Sequence, residues 1–125
     1  MFLRSFRVKL ALMKIKEIIE YSDFEKVDIR IGKVIASSSP EWSNKLLEFT
    51  VDFGEDIGER TILSGIKKWY SPDDFIGNYY IFVVNLAERK MGEGVSQGMM
   101  LMSDEGEIPV PFPITKQVKE GSIVR

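Results

Sequence analysis

From Tyr21 onward the chain alternates, with Val27, Ile29 and Ile31 on one side and Asp28, Arg30 and Gly32 on the other. A period of two puts successive side chains on opposite faces of a strand. Gly32 predicts a bulge or sharp bend. Lys33-Val34-Ile35-Ala36 then continues the strand until Ser37-Ser38-Ser39-Pro40 stops it. A second strand is predicted over residues 46–53, with Leu47, Phe49, Val51 and Phe53 sharing a face, and a third, shorter one over residues 60–64. Residues 71–77 read as one helical turn: Ser71 at the N-cap, Pro72 at the first position, Asp73 and Asp74 at the positive dipole end, and Gly77 closing it. Ser22-Asp23-Phe24-Glu25 has capping-box spacing for an earlier turn. The apolar run over residues 79–85 predicts a buried fourth strand, and Met99-Met100-Leu101-Met102 a fifth.

Three strands, a short helix and two further strands, with a bent first strand, predict an all-β class. The architecture is a five-stranded OB-fold Greek-key barrel with a helix between strands three and four. A short β-sandwich is the alternative, and the well-capped helix argues against it.

Composition then narrows the chemistry. The chain has 125 residues, enough for one domain with its own core. It contains no Cys and no His, which excludes disulfides, thiolate nucleophiles, imidazole acid/base catalysis and thiolate or imidazole metal sites. No catalytic residues, metal ligands or cofactor are assigned, and the chain reads as a non-enzyme. Residues 1–16 carry five basic residues and no acid, whereas residues 17–125 carry twelve basic and nineteen acidic ones, a balance of −7. A nucleic-acid site on such a body must be a local basic patch. Residues 1–20 read as a basic, apolar extension or helix, with Met13 the expected true start, and residues 21–125 as the domain. No apolar run approaches a membrane span, and a cytoplasmic location is expected.

The segment over residues 85–99 is the most informative. It leaves a buried strand at Asn85, sets Arg89 beside Lys90, passes Gly92 and Gly94, and returns through Ser96 and Gly98. In an OB barrel this is the loop between strands four and five, which flanks the binding face. Arg offers a fork matched to phosphate and Lys a flexible point charge. Taken alone, the pair also fits a solvated turn. Asn44 and Lys45, between strands one and two, fall on the same side. Lys67, Lys68, Trp69 and Tyr70 combine charge with rings that either stack on bases or plug the barrel. Met99, Met100 and Met102 read mainly as strand core.

Four segments, DFEKVDIRIGKVI, KLLEFTVDFG, RTILSGIKKWYSPDDFIG and NLAERKMGEGVSQGMMLM, resemble the tRNA-binding OB domain family. That domain ends methionyl-tRNA synthetases, occurs in endothelial monocyte-activating polypeptide, and exists as free-standing dimeric tRNA-binding proteins. The resemblance implies tRNA binding by shape, with contacts from Lys33, Asn44, Lys45, Asn85, Arg89, Lys90, Ser96 and Met99. It also implies extra C-terminal β structure. Glu88 stands where the family often has Pro, which predicts a negative charge beside the phosphate site. The expected function is a free-standing counterpart, or beta subunit, of the synthetase domain, with a methionyl-tRNA synthetase as partner. The alternative is an export chaperone of the CsaA type that binds unfolded polypeptide.

Ile108-Pro109-Val110-Pro111-Phe112-Pro113-Ile114 removes every N–H from one side of an extended segment and keeps them on the other. It is predicted to pair along one edge and to present Val110, Phe112 and Ile114 to a homodimer interface.

Overall fold

A computed structural model describes residues 15–125. The expectations for residues 1–14 lie outside the described residues, and residues 15–20 have no regular structure. A single helical turn, α1 (Tyr21–Phe24), follows. Its reciprocal cap is Glu20 with Asp23, the Asp23 carboxylate accepting the Glu20 N–H at 3.1 Å. Ser22 therefore lies inside the turn, two residues past the true cap.

The barrel is a curved antiparallel sheet built from β1 (Ile29–Ser38), β2 (Leu47–Asp52), β3 (Glu59–Ser64), β4 (Tyr79–Val83) and the short β7 (Met99–Met100), in the order β3-β2-β1-β4-β7. A hairpin of β5 (Arg89–Met91) and β6 (Gly94–Ser96) stands between β4 and β7. The fold is the OB barrel that the strand order predicts. Leu47, Phe49, Val51 and Phe53 are all buried, as their alternation requires. They pack with Val34, Ile62, Phe75 and Phe82, and each contributes about 1.5–3 kcal/mol of transfer free energy.

The bend in β1 differs from expectation. The extra residue is Ile35, where pairing with β2 slips between Val34 and Ala36. Gly32 serves close approach instead: a Cβ there would stand 2.5 Å from Val51 Cγ1 and 2.6 Å from Phe53 Cε1.

The predicted helical turn is a 3-10 helix, Pro72–Asp74, with the Ser71 N–H held by Asp74 at 2.9 Å. It drops Phe75 into the core, 4.8 Å from the ring of Phe49. The fifth strand breaks at Leu101 into β7 and β8 (Met102–Ser103), and β8 pairs with β9 (Val110–Pro111). Ile114 then donates its N–H to the Tyr79 carbonyl, carrying the proline segment onto the β4 edge. At the chain's end β10 (Ile123–Val124) pairs with Ile29 and Arg30, continuing the edge of β1 that β2 leaves at Lys33. Arg30 reinforces this end by bonding both Asp28 and the Gly121 carbonyl, and the Asp28 hydrogen bond pushes its pKa further up.

Closure between β3 and the far end of the sheet joins one backbone bond, the Gln97 N–H on the Thr61 carbonyl at 2.8 Å, to bonds made by side chains. Ser96 Oγ accepts the Leu63 N–H at 3.0 Å, and Gln97 Oε1 accepts the Thr61 N–H at 2.9 Å. Two side chains thus stand in for strand–strand bonds.

Candidate nucleic-acid interface

Two loops meet at one end of the barrel. The first, residues 39–46, folds on buried Pro40, whose carbonyl accepts the Ser43 N–H. Ser43 Oγ accepts the N–H groups of Lys45 and Leu46, each at 3.1 Å. Short hydroxyl side chains favour such local turns. Lys67 fastens the loop to the barrel, its ammonium on the Ser43 carbonyl at 3.1 Å and its N–H on the Lys45 carbonyl at 3.2 Å. Asn44 and Lys45 are left exposed at the tip.

The second loop is the β5–β6 hairpin. Arg89 pairs with Ser96, Lys90 with Val95 and Met91 with Gly94. Gly92 takes φ +63°, in the left-handed region that favours glycine. It also lies against Trp42 from the first loop: a Cβ at Gly92 would stand 2.6 Å from Trp42 Cζ3, and one at Gly94 3.0 Å from Cζ2. The two glycines form a seat for the indole, and the indole joins the loops.

Between the loops lies an open cleft of about 320 Å³ lined by Trp42, Ser43, Lys45, Leu46, Arg89, Lys90, Met91 and Gly92. Three cations and no carboxylate face it. Among the described residues Lys45, Arg89 and Lys90 make no ion pair, so their charge is available to an anion. Behind the hairpin runs a larger apolar groove of about 730 Å³, whose walls include Trp69, Leu86, Met91, Met99 and Met102, with Arg89 at its edge.

The structure thus brings Lys45, Arg89 and Lys90 together, with Asn44 adjoining them. Met99 is 46% exposed and lines the apolar groove. Ser96 lines that groove too, whereas Lys33 and Asn85 lie outside both linings. Lys33 sits with its ammonium 5.9 Å from the centre of the Tyr79 ring. Asn85 is bonded on both sides of its amide: Oδ1 accepts the Asp28 N–H at 2.8 Å, and Nδ2 donates to the Lys26 carbonyl at 2.7 Å. Ser96 is 4% exposed, accepting from Leu63 and donating to the Gly98 carbonyl at 2.9 Å.

Glu88 accepts from Gln97 Nε2 at 3.4 Å and lines a separate cleft with Asn85 and Arg60, apart from the one that Lys45, Arg89 and Lys90 line. The two aromatics after β3 divide. Tyr70 is the plug, packed edge-on to Phe75 and donating to the Pro109 carbonyl at 2.6 Å. Trp69 stays 39% exposed in the groove, with Lys68 5.4 Å from its ring centre. Trp42 and Ser43 are residues of the cleft that the sequence pattern does not single out. A large aromatic inside the polar stretch SSSPEWSN is the signal that marks them.

On either side of the sheet's end, Val110 and Phe112 are exposed by 48% and 47%, and Ile114 is half-buried.

Comparison with known proteins bears on the family and the fold. The chain is 42% identical over 113 residues to the methionine–tRNA ligase of Parabacteroides distasonis, covering 89% of this chain and 16% of that one. It is 50% identical over 109 residues to that of Chromobacterium violaceum, covering 84% of this chain and 16% of that one. The chain thus spans about one-sixth of the length of these relatives. Among solved structures, a MetRS-related protein from Pyrococcus horikoshii superposes with a TM-score of 0.81 at 32% identity, covering 87% of this chain and 99% of that one. The CsaA chaperone protein of Picrophilus torridus superposes with a TM-score of 0.78 at 25% identity, covering 86% of this chain and 100% of that one. Residues 29–122, from the start of β1 almost to β10, match the family described as "Putative tRNA binding domain", and with the barrel, its two loops and these relatives in agreement, the chain belongs to that tRNA-binding domain family.

Proposed function

We propose that this chain is a non-catalytic tRNA-binding protein that engages the sugar–phosphate backbone through Lys45, Arg89 and Lys90, with Asn44 hydrogen-bonding at the rim. The observation that carries this reading is the unpaired, carboxylate-free trio of cations between two loops of a barrel matched by the family. Phosphate contacts fix position and orientation without reading sequence, which suits recognition by shape. Asn85 and Ser96 act on the barrel frame rather than on RNA, since every bond each makes goes to the protein backbone.

Because the relatives carry this barrel as about one-sixth of a methionine–tRNA ligase, the chain's proposed role is to supply tRNA affinity, in the cytoplasm, to a ligase that lacks the domain. The exposed Val110 and Phe112, beside Ile114, supply the proposed homodimer contact. Nitrocellulose filter binding with bulk tRNA tests the core of the reading. Saturable binding that weakens with salt supports it; no binding at about 50 mM salt sinks it.

A second reading has one observation in its favour. The groove lined by Trp69, Leu86, Met91, Met99 and Met102 is apolar and Met-rich, a surface that adapts to varied apolar side chains. Together with the likeness to CsaA it supports a polypeptide-binding chaperone. Competition of a permanently unfolded polypeptide against tRNA separates the two: displacement of tRNA by the polypeptide favours the second.

A further inference from the structure

The cationic cleft contains more than a phosphate site needs. Its wall is Trp42, an indole lodged on Gly92, where a Cβ would clash with the ring, and close against Gly94. The ring is half-buried, and it lines the same cleft as Lys45, Arg89 and Lys90. The loop that carries Trp42 is fixed by bonds from Ser43 and Lys67, which hold it beside the hairpin glycines. A volume of about 320 Å³ is at the small end of ligand pockets, room for one nucleotide rather than a helix face.

We infer that this cleft takes one unpaired nucleotide, its base stacked on Trp42 and its flanking phosphates held by Lys45, Arg89 and Lys90. The inference rests on the tRNA-binding reading and sharpens it. Affinity then depends on an unstacked base that only a loop or a single-stranded end can offer, besides the shape of the paired regions. Every base has a face to stack, so the site is indifferent to sequence but not to pairing.

The experiment uses the full chain with three RNAs: a single-stranded pentaadenylate, a pentamer of the same length with every nucleotide abasic, and a blunt twelve-base-pair duplex. The chain has two tryptophans, so Trp69→Phe leaves Trp42 as the only indole reporter. The pentamer is expected to quench Trp42 emission and to bind about tenfold or more tighter than the abasic pentamer, the scale of removing one base–aromatic stack. Trp42→Ala is expected to erase that difference, and Trp42→Phe to retain most of it. Equal affinity for intact and abasic pentamers in the wild type overturns the inference, and this comparison stands even if Trp42→Ala fails to fold. So does Trp42 emission unmoved at saturation by the pentamer, or quenched as strongly by the duplex. Bulk tRNA in a parallel titration separates the two levels. A chain that binds tRNA but ignores the abasic change refutes the stacking site, whereas one that discriminates pentamers but does not bind tRNA refutes the tRNA reading.

Discussion

Replacing Arg89 and Lys90 together by alanine removes two of the three cations that line the cleft while leaving its walls in place. Both side chains are exposed and make no ion pair among the described residues, and their strand pairing with Ser96 and Val95 is through backbone. The hairpin should therefore survive. Removing a single cation–phosphate interaction lowers the slope of log K against log salt by about 0.9 for duplex-like and about 0.7 for single-stranded sites. Two such interactions account for a slope change of about 1.4–1.8. Over the fourfold range from about 50 to about 200 mM salt, that corresponds to about seven- to twelvefold less salt-induced weakening in the double variant than in the wild type. Filter binding of bulk tRNA at five or six KCl concentrations measures both slopes, with circular dichroism confirming the fold. A folded double variant whose slope equals that of the wild type refutes the assignment of the cleft, whatever its affinity at one salt. Adding Lys45→Ala should lower the slope by about as much again as either single replacement.

Other substitutions test the frame around the cleft. Gly92→Ala places a Cβ at positive φ and against Trp42, and should destabilise by about 1–2 kcal/mol or more in urea denaturation; an unchanged midpoint would show that the seat is loose. Ser96→Ala leaves the Leu63 N–H without its partner and should cost about 1–3 kcal/mol of stability while tRNA affinity of the folded fraction holds; weaker affinity at full folding would instead make Ser96 an RNA contact. Glu120 is held below the ordinary carboxylate range first by its own backbone N–H and then by the Tyr79 hydroxyl at 2.9 Å. Its contribution is present above the unfolded carboxylate pKa and disappears as pH falls through the folded one. Glu120→Gln should flatten the acid limb of a Tm-against-pH curve, and parallel curves would contradict this. Light scattering at micromolar concentration tests the proposed dimer: a monomeric wild type sinks it, and a folded Phe112→Lys variant that stays dimeric removes Phe112 from the proposed interface.

Strand order, the buried face of β2 and the capped turn before β4 are legible in the sequence because each is a short-range pattern. Alternation at Leu47, Phe49, Val51 and Phe53, and the Ser-Pro-Asp-Asp sequence, state their own geometry. The bulge lies at Ile35 rather than Gly32, because a glycine inside a strand signals either a bend or a close neighbour. Only the packing of Val51 and Phe53 above it decides which. The basic trio is legible as charge on two loops of a familiar topology. Trp42 is not, since its meaning lies in two glycines of a hairpin beyond β4. Ser96 and Asn85 show the converse: the sequence marks both as polar residues of a loop, but not the backbone partners, Leu63, Asp28 and Lys26, that their side chains bond.

Strand β1 begins at Ile29, and the segment that seals its edge starts only at Gly121, near the far end of the chain. Gly121 and Ser122 exchange bonds with Ile31, and β10 lies along Ile29 and Arg30. On a ribosome, the first strand therefore emerges long before its last partner. Such long-range closure slows folding, because the chain entropy is surrendered before the contact exists to offset it. Until residues 121–124 are released, the edge at Ile29 is an open template for another nascent chain. Expression at lower temperature should therefore improve recovery of this protein.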